Sequence, residues 1–275
     1  MAKVVPFQHY ILKQTSWLTN FISNPVGIGR AIAERFVESG AKVTVVGRRK
    51  HRLDEFVAKY GNERAHAITF DLFKTDDIPA FIKNATTIYT DIDCVYFNAG
   101  TRQAYNLASD EGWDLKRFNE EVHLNFNSAV ALSPAFLPFL KKRAEEVPAS
   151  LISTGTTLAI IPAAWVPAYS ASKAALNVFV LCLREHLKDA SKLKIIEISP
   201  SAVQTETRNT TIGGKGEKIG MLLDQSATQA YNGLKQGPDQ IIVGGSPDQE
   251  AFDDILKRRG GFENSAAMWR KQFPD

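Results

Sequence analysis

Residues 27–47 read GIGRAIAERFVESGAKVTVVG, and the order of signals within them decides what kind of fold to expect. Ile28, Ala31, Ile32 and Phe36 recur at three- and four-residue spacing, which places them on one face of a helix. Gly40 closes the pattern, because glycine readily takes the backbone conformation that ends a helix. KVTVVG follows directly, rich in β-branched residues and bounded by Gly47, and it reads as a strand. A helix handed so quickly to a strand is half of a crossover unit, the device that joins parallel strands.

The same alternation extends along the chain. Residues 65–70 (AHAITF), 93–98 (DCVYFN), 150–154 (SLIST), 194–199 (KIIEIS) and 240–244 (QIIVG) repeat the strand signature. Helical stretches are predicted at 52–60, 76–83, 119–142, 168–188 and 249–258. The first strand, at 16–22 (SWLTNFI), is the least regular, since Thr19 and Asn20 fall where a central parallel strand is normally apolar. The expectation is an α/β fold: a doubly wound, Rossmann-like parallel sheet with helices on both faces. It forms a single domain over residues 1–275, with a polar, glycine-rich mobile loop around 203–222 and a helical tail at 249–275. Such a sheet takes ligands at the C-terminal ends of its strands.

Composition excludes several classes. Hydrophobic residues make up 44% of the 275 and charged residues 23%, with a net charge of +3 and no basic stripe, so neither nucleic acid nor a membrane surface is an expected partner. No apolar run approaches the roughly 20 residues that span a bilayer. Two cysteines, Cys94 and Cys182, make no disulfide framework, which fits a reducing, cytoplasmic setting. The N-terminal residues show no small-residue cleavage site, and no signal peptide is read there. The five histidines are scattered without ligand spacing, so no metal is expected.

The chemistry lies further on. Tyr169-Ser170-Ala171-Ser172-Lys173 puts a phenol and an ammonium four residues apart on one helix face. A nearby cation favours phenolate and fits the tyrosine to pass a proton. Asn98-Ala99-Gly100 follows the fourth strand, Asn125 lies within LNFNS, and Pro200 and Thr205 follow the sixth strand. In this order and spacing, the residues from about 27 to 245 resemble the short-chain dehydrogenase/reductase family.

That resemblance implies an oxidoreductase that interconverts a carbonyl and a secondary alcohol. Tyr169 would be the general acid/base, Lys173 would lower its pKa and bind the nicotinamide ribose, and Asn125 would anchor a proton relay. The carbonyl-positioning serine of the family falls on Thr156, with Thr157 and Ser153 as alternatives. Gly47-Arg48-Arg49 has no acidic residue to hold ribose hydroxyls, and Arg48 and Arg49 suit a 2′-phosphate, so the cofactor expected is NADP(H). Asp71 resembles the adenine-contacting aspartate of the family. Ser23, Gly27, Ile28, Gly29, Leu72, Asn98, Ala99, Gly100, Pro200, Val203 and Thr205 complete the cofactor set, and Leu158, Ile160 and Trp165 border a small, moderately apolar substrate. The helices at 119–142 and 168–188 resemble those through which the family forms homodimers and homotetramers.

Three departures stand against this pattern. Ile22 and Ser23 occupy the Thr-Gly of the glycine-rich turn, and Pro25 removes a backbone N–H from it. Phe97 replaces the asparagine usual before the Asn-Ala-Gly segment, and Ser201 replaces the glycine usual after Pro200. Two accounts stay open: a diverged member that has lost its cofactor and serves as a binding protein, structural subunit or non-redox enzyme, or an N-terminal segment that replaced the true first strand.

Overall fold

The computed structural model describes residues 16–20, 27–109, 114–189, 192–205, 220–244 and 250–272. The altered turn with Ser23, most of the polar loop and the last residues of the tail lie outside these.

Seven strands form one parallel sheet in the order β3-β2-β1-β4-β5-β6-β7. They are β1 (Ser16–Asn20), β2 (Lys42–Gly47), β3 (Ala65–Thr69), β4 (Cys94–Phe97), β5 (Ala149–Thr154), β6 (Leu193–Pro200) and β7 (Gln240–Val243). The helices between and after them are α1 (Ile28–Glu38), α2 (Lys50–Tyr60), α3 (Ile78–Ile88), α4 (Leu115–Val122), α5 (Ser128–Glu146), α6 (Pro167–Leu187), α7 (Leu223–Gln236) and α8 (Glu250–Gln272).

Side-chain alternation along the strands assigns the helices to faces. Val43, Val45, Cys94, Tyr96, Ile152, Ile196 and Ile198 pack with α1, α2 and α7 in one cluster. Val46, Val95, Phe97, Leu151 and Ile195 point the other way and pack with α3, α5 and α6. The sheet is therefore covered on both sides, as the run of apolar strands requires. Despite Thr19 and Asn20, residues 16–20 do pair as a central strand, with Asn20 opposite Val46 on one side and Phe97 on the other.

Two elements differ from the sequence expectation. α7 was not anticipated, because it buries only small residues and one leucine, Ser226, Ala227, Ala230 and Leu234, so its apolar stripe is faint. The helix expected at 119–142 is instead α4 and α5 joined by a π turn, His123–Asn127. Strand order reverses direction between β1 and β4, and the crevice beyond their C-terminal ends is where such a sheet holds ligands. Among the described residues, no helix is long and apolar enough to cross a membrane.

Candidate active site

α6 starts at Pro167, whose fixed φ suits the first helical turn. Its length places Tyr169 and Lys173 one turn apart, facing the ends of β4 and β5. Lys173 is buried (2% exposed) and its Nζ donates to the carbonyl oxygen of Thr154 at 2.7 Å. Burial lowers its pKa to about 8, and the negative charge of Glu197 opposes that fall. Tyr169 is half-buried. Burial holds its hydroxyl above the usual phenol range, against the pull of the Arg102 guanidinium and a hydrogen bond with the Thr156 hydroxyl.

Thr156 lies at the end of β5 and is buried. Its Oγ1 donates to the Pro200 carbonyl at 3.3 Å and accepts from the Leu158 N–H at 3.3 Å. Of the three hydroxyls considered from sequence, it is the one that lines the cleft with Tyr169. The Ser153 hydroxyl is buried elsewhere, with no hydrogen-bond partner among the described residues.

Asn125 sits inside the π turn, which takes up one surplus residue. Its side chain accepts from the Thr101 N–H at 2.8 Å and donates to the Thr101 carbonyl at 2.9 Å and to Ser172 Oγ at 3.1 Å. Asn125 thus ties the segment after β4 to α6. Gly100 lies against this tie: a Cβ there would come within 3.1 Å of Asn125 Oδ1 and 3.6 Å of Lys173 Nζ.

These groups border one cleft of about 330 Å³. Gly27, Ile28, Asn98, Gly100, Tyr169, Lys173, Pro200, Val203 and Thr205 line it, with Leu158, Ala163 and Trp165 supplying apolar wall. α1 opens at Gly27, which offers no side chain to cap its first turn, and no acidic residue lies in that turn, an arrangement whose amides suit an anion. A parallel bridge joins Val203 to Met221.

Arg48, Arg49, Asp71 and Leu72 do not reach this cleft and cluster at the ends of β2 and β3. Arg48 is exposed, 3.9 Å from Asp71 Oδ1, with its guanidinium 5.5 Å from the centre of the Phe73 ring. Leu72 is 1% exposed in the core, so only its backbone faces outward chemistry. Phe97 is also a core residue, tilted against Phe136, and is not among the residues lining this cleft. Ser201 does line the cleft.

Sequence reasoning missed Arg102, Glu121 and Glu197. Arg102 lines the cleft, with its guanidinium 5.4 Å from the Trp165 ring and 5.8 Å from the Tyr169 ring. Lys173 is 6.0 Å from the same tyrosine ring, so two cations flank the phenol where the motif suggested one. No spacing rule points to Arg102, because it comes from a loop. Among the described residues, no cluster of side chains suits a metal ion.

The geometry agrees with what comparison with known proteins finds. Residues 24–214 match the model of the short chain dehydrogenase family. The chain is 30% identical over 231 residues, 84% of its length and 89% of the relative's, to the uncharacterized oxidoreductase DltE of Bacillus subtilis. Among solved structures, a short chain dehydrogenase from Burkholderia cenocepacia in complex with NADP superposes with a TM-score of 0.72 at 20% identity, covering 96% of this chain and 99% of that one. A 3-ketoacyl-(acyl-carrier-protein) reductase from Brucella melitensis complexed with NADH gives 0.73 at 21% identity, over 84% and 96%. The chain belongs to the short-chain dehydrogenase family of oxidoreductases.

Proposed function

We propose that this protein is an NADP(H)-dependent oxidoreductase that interconverts a carbonyl and a secondary alcohol on a small, moderately apolar substrate. One observation carries the reading: Tyr169, Thr156 and Lys173 meet in the same cleft as Gly27, Ile28, Asn98 and Gly100, at the point where strand order reverses. When bound, the nicotinamide cofactor supplies or accepts the hydride. Tyr169 gives its hydroxyl proton to the carbonyl oxygen in reduction and takes it back in oxidation. The Thr156 hydroxyl holds that oxygen, Lys173 and Arg102 favour the phenolate that remains, and Asn125 fixes the segment after β4 against α6. Leu158, Ala163 and Trp165 exclude water beside the substrate carbon.

Arg48 and Arg49, with no acidic residue at the end of β2, support NADP(H) over NAD(H). The reading includes a homodimer through α5 and α6, where Val178 is exposed; light scattering that returned a monomer at micromolar concentration would remove that part.

Titration of the purified protein with NADPH, and with NADH alongside, tests the whole. Saturable binding that favours NADPH is expected, and Arg48→Ala should cut the preference by about tenfold, one lost charge-assisted contact. Tyr169→Phe should keep NADPH affinity while lowering kcat by at least about a hundredfold, the usual scale of a lost general acid. No binding at millimolar cofactor would end the hydride reading and favour a protein that has lost its cofactor, with the turn at residues 21–26 as the cause.

A further inference from the structure

Glu197 stands in β6 where a central parallel strand normally carries an apolar side chain, and it is 1% exposed. A carboxylate so placed needs donors, and it has them. The Asn177 amide donates to its two oxygens at 3.2 and 3.1 Å, the Ser199 hydroxyl at 2.7 Å and the Gln240 amide at 3.4 Å. All three donors are neutral. They solvate the charge without cancelling it, and a buried charge is retained where a countercharge shares its surroundings.

Two cations feel it, Lys173 and Arg184. Arg184 is already engaged by the Ile195 and Asp239 carbonyls and the Asp239 carboxylate. Lys173 lies one helical turn before Asn177. Its ammonium holds the Thr154 carbonyl, and the next residue, Gly155, has no side chain between that peptide and the acid. A methyl group at position 155 would overlap Glu197 Cδ (2.8 Å) and Ser199 Oγ (2.9 Å). The peptide that the ammonium holds and the residue that touches the acid are thus consecutive, Thr154 and Gly155.

We infer that Glu197 is the buried countercharge of Lys173, a positioning residue that keeps the ammonium protonated behind the cleft. It touches no substrate and acts through the lysine. Its effect on turnover rests on the function proposed above, but the charge coupling does not. The direction in which Glu197 moves Lys173, against the fall caused by burial, agrees.

The proton affinity of Lys173 can be read without turnover. Cyanate carbamylates the neutral amine, and peptide mass spectrometry reports the rate at this lysine against pH. Glu197→Gln keeps the shape and removes the charge; the Asn177 amide can turn to offer an oxygen to the new NH2 group, while Gln240 stays fixed by Arg184. With a lysine pKa near 8, a fall of about one unit raises the neutral fraction at pH 7 about fivefold, and the carbamylation rate should rise by that factor. Glu197→Asp keeps the charge and should stay within about twofold of the parent protein on the same scale. An unchanged rate in Glu197→Gln, or an equal rise in Glu197→Asp, would overturn the assignment, since the first denies coupling and the second makes the role packing alone. Should Glu197→Gln not fold, Glu197→Met takes its place, since it also removes the charge at similar size: a fivefold rise there upholds the assignment, and an unchanged rate refutes it. A protein that bound no NADPH yet showed the fivefold rise would lose its proposed function and keep this coupling.

Discussion

Glu121 and Glu197 are buried to the same degree, 1% exposed each, and the fold treats them oppositely. Glu197 lies in the sheet among three side-chain donors. Glu121 lies on α4, with one long hydrogen bond from the Tyr105 hydroxyl at 3.3 Å and a backbone contact from Gln103. Its Oε1 has no hydrogen-bond partner among the described residues. Burial pushes the Glu121 carboxyl up to about 7, although Arg102 and Arg117 pull it down. Depth alone therefore does not decide how a carboxylate is accommodated. The donors set around it by neighbouring elements do, and a strand between two others supplies them more densely than a helix end beside a loop.

The contrast can be broken most severely at Glu197. Glu197→Ala strands Lys173 and leaves the Asn177 and Ser199 donors unanswered, and should destabilise the protein by about 3–5 kcal/mol, read as a lower urea midpoint. Glu121→Gln should do the reverse, and only at higher pH. The folded pKa of Glu121 lies above its ordinary 4.5, so the folded state binds the proton more tightly than the unfolded one. Its contribution is favourable below about 4.5, is lost as pH rises to about 7, and is then a constant cost of about 3 kcal/mol. The variant should match the parent near pH 4.5 and exceed it at pH 8, by melting at both values; equal melting at both would show that Glu121 finds a donor. Ser199→Ala is the mildest change, removing one donor from a buried acid for about 1–2 kcal/mol, and a cost near zero would mean Asn177 and Gln240 suffice.

Much of this architecture was legible beforehand, for physical reasons. The expected strand ends fell within a residue or two of those observed, because short β-branched runs closed by Gly, Pro or Asp leave little choice of boundary. Tyr169, Lys173, Thr156 and Asn98 could be named because motif spacing carries them to one end of the sheet, and they do line or border one cleft. α7 was missed because alanines at 227 and 230 make a poor stripe. Arg102 and Glu121 were missed because loop geometry and helix rotation, rather than spacing, bring them near Tyr169. Glu197 did leave a signal, a charge in the middle of KIIEIS, but a lone acid in a strand reads as an irregularity until its donors from α6 and β7 are seen.

The π turn at His123–Asn127 bears on which genetic changes this chain can absorb. The five residues of a π turn sweep roughly the rotation of four α-helical residues, so the turn takes up one surplus residue while α4 and α5 keep nearly the phase of a single regular helix. Removing one residue there, such as Phe126, would let the two wind as one helix with Glu121 still close to Tyr105, and the cost would fall on the Asn125 contact to Thr101. A deletion within α4 itself has no such slack and would turn every residue on one side of it about 100° away from its contacts. The segment should therefore tolerate the loss of a residue at the turn far better than the loss of one a helical turn away.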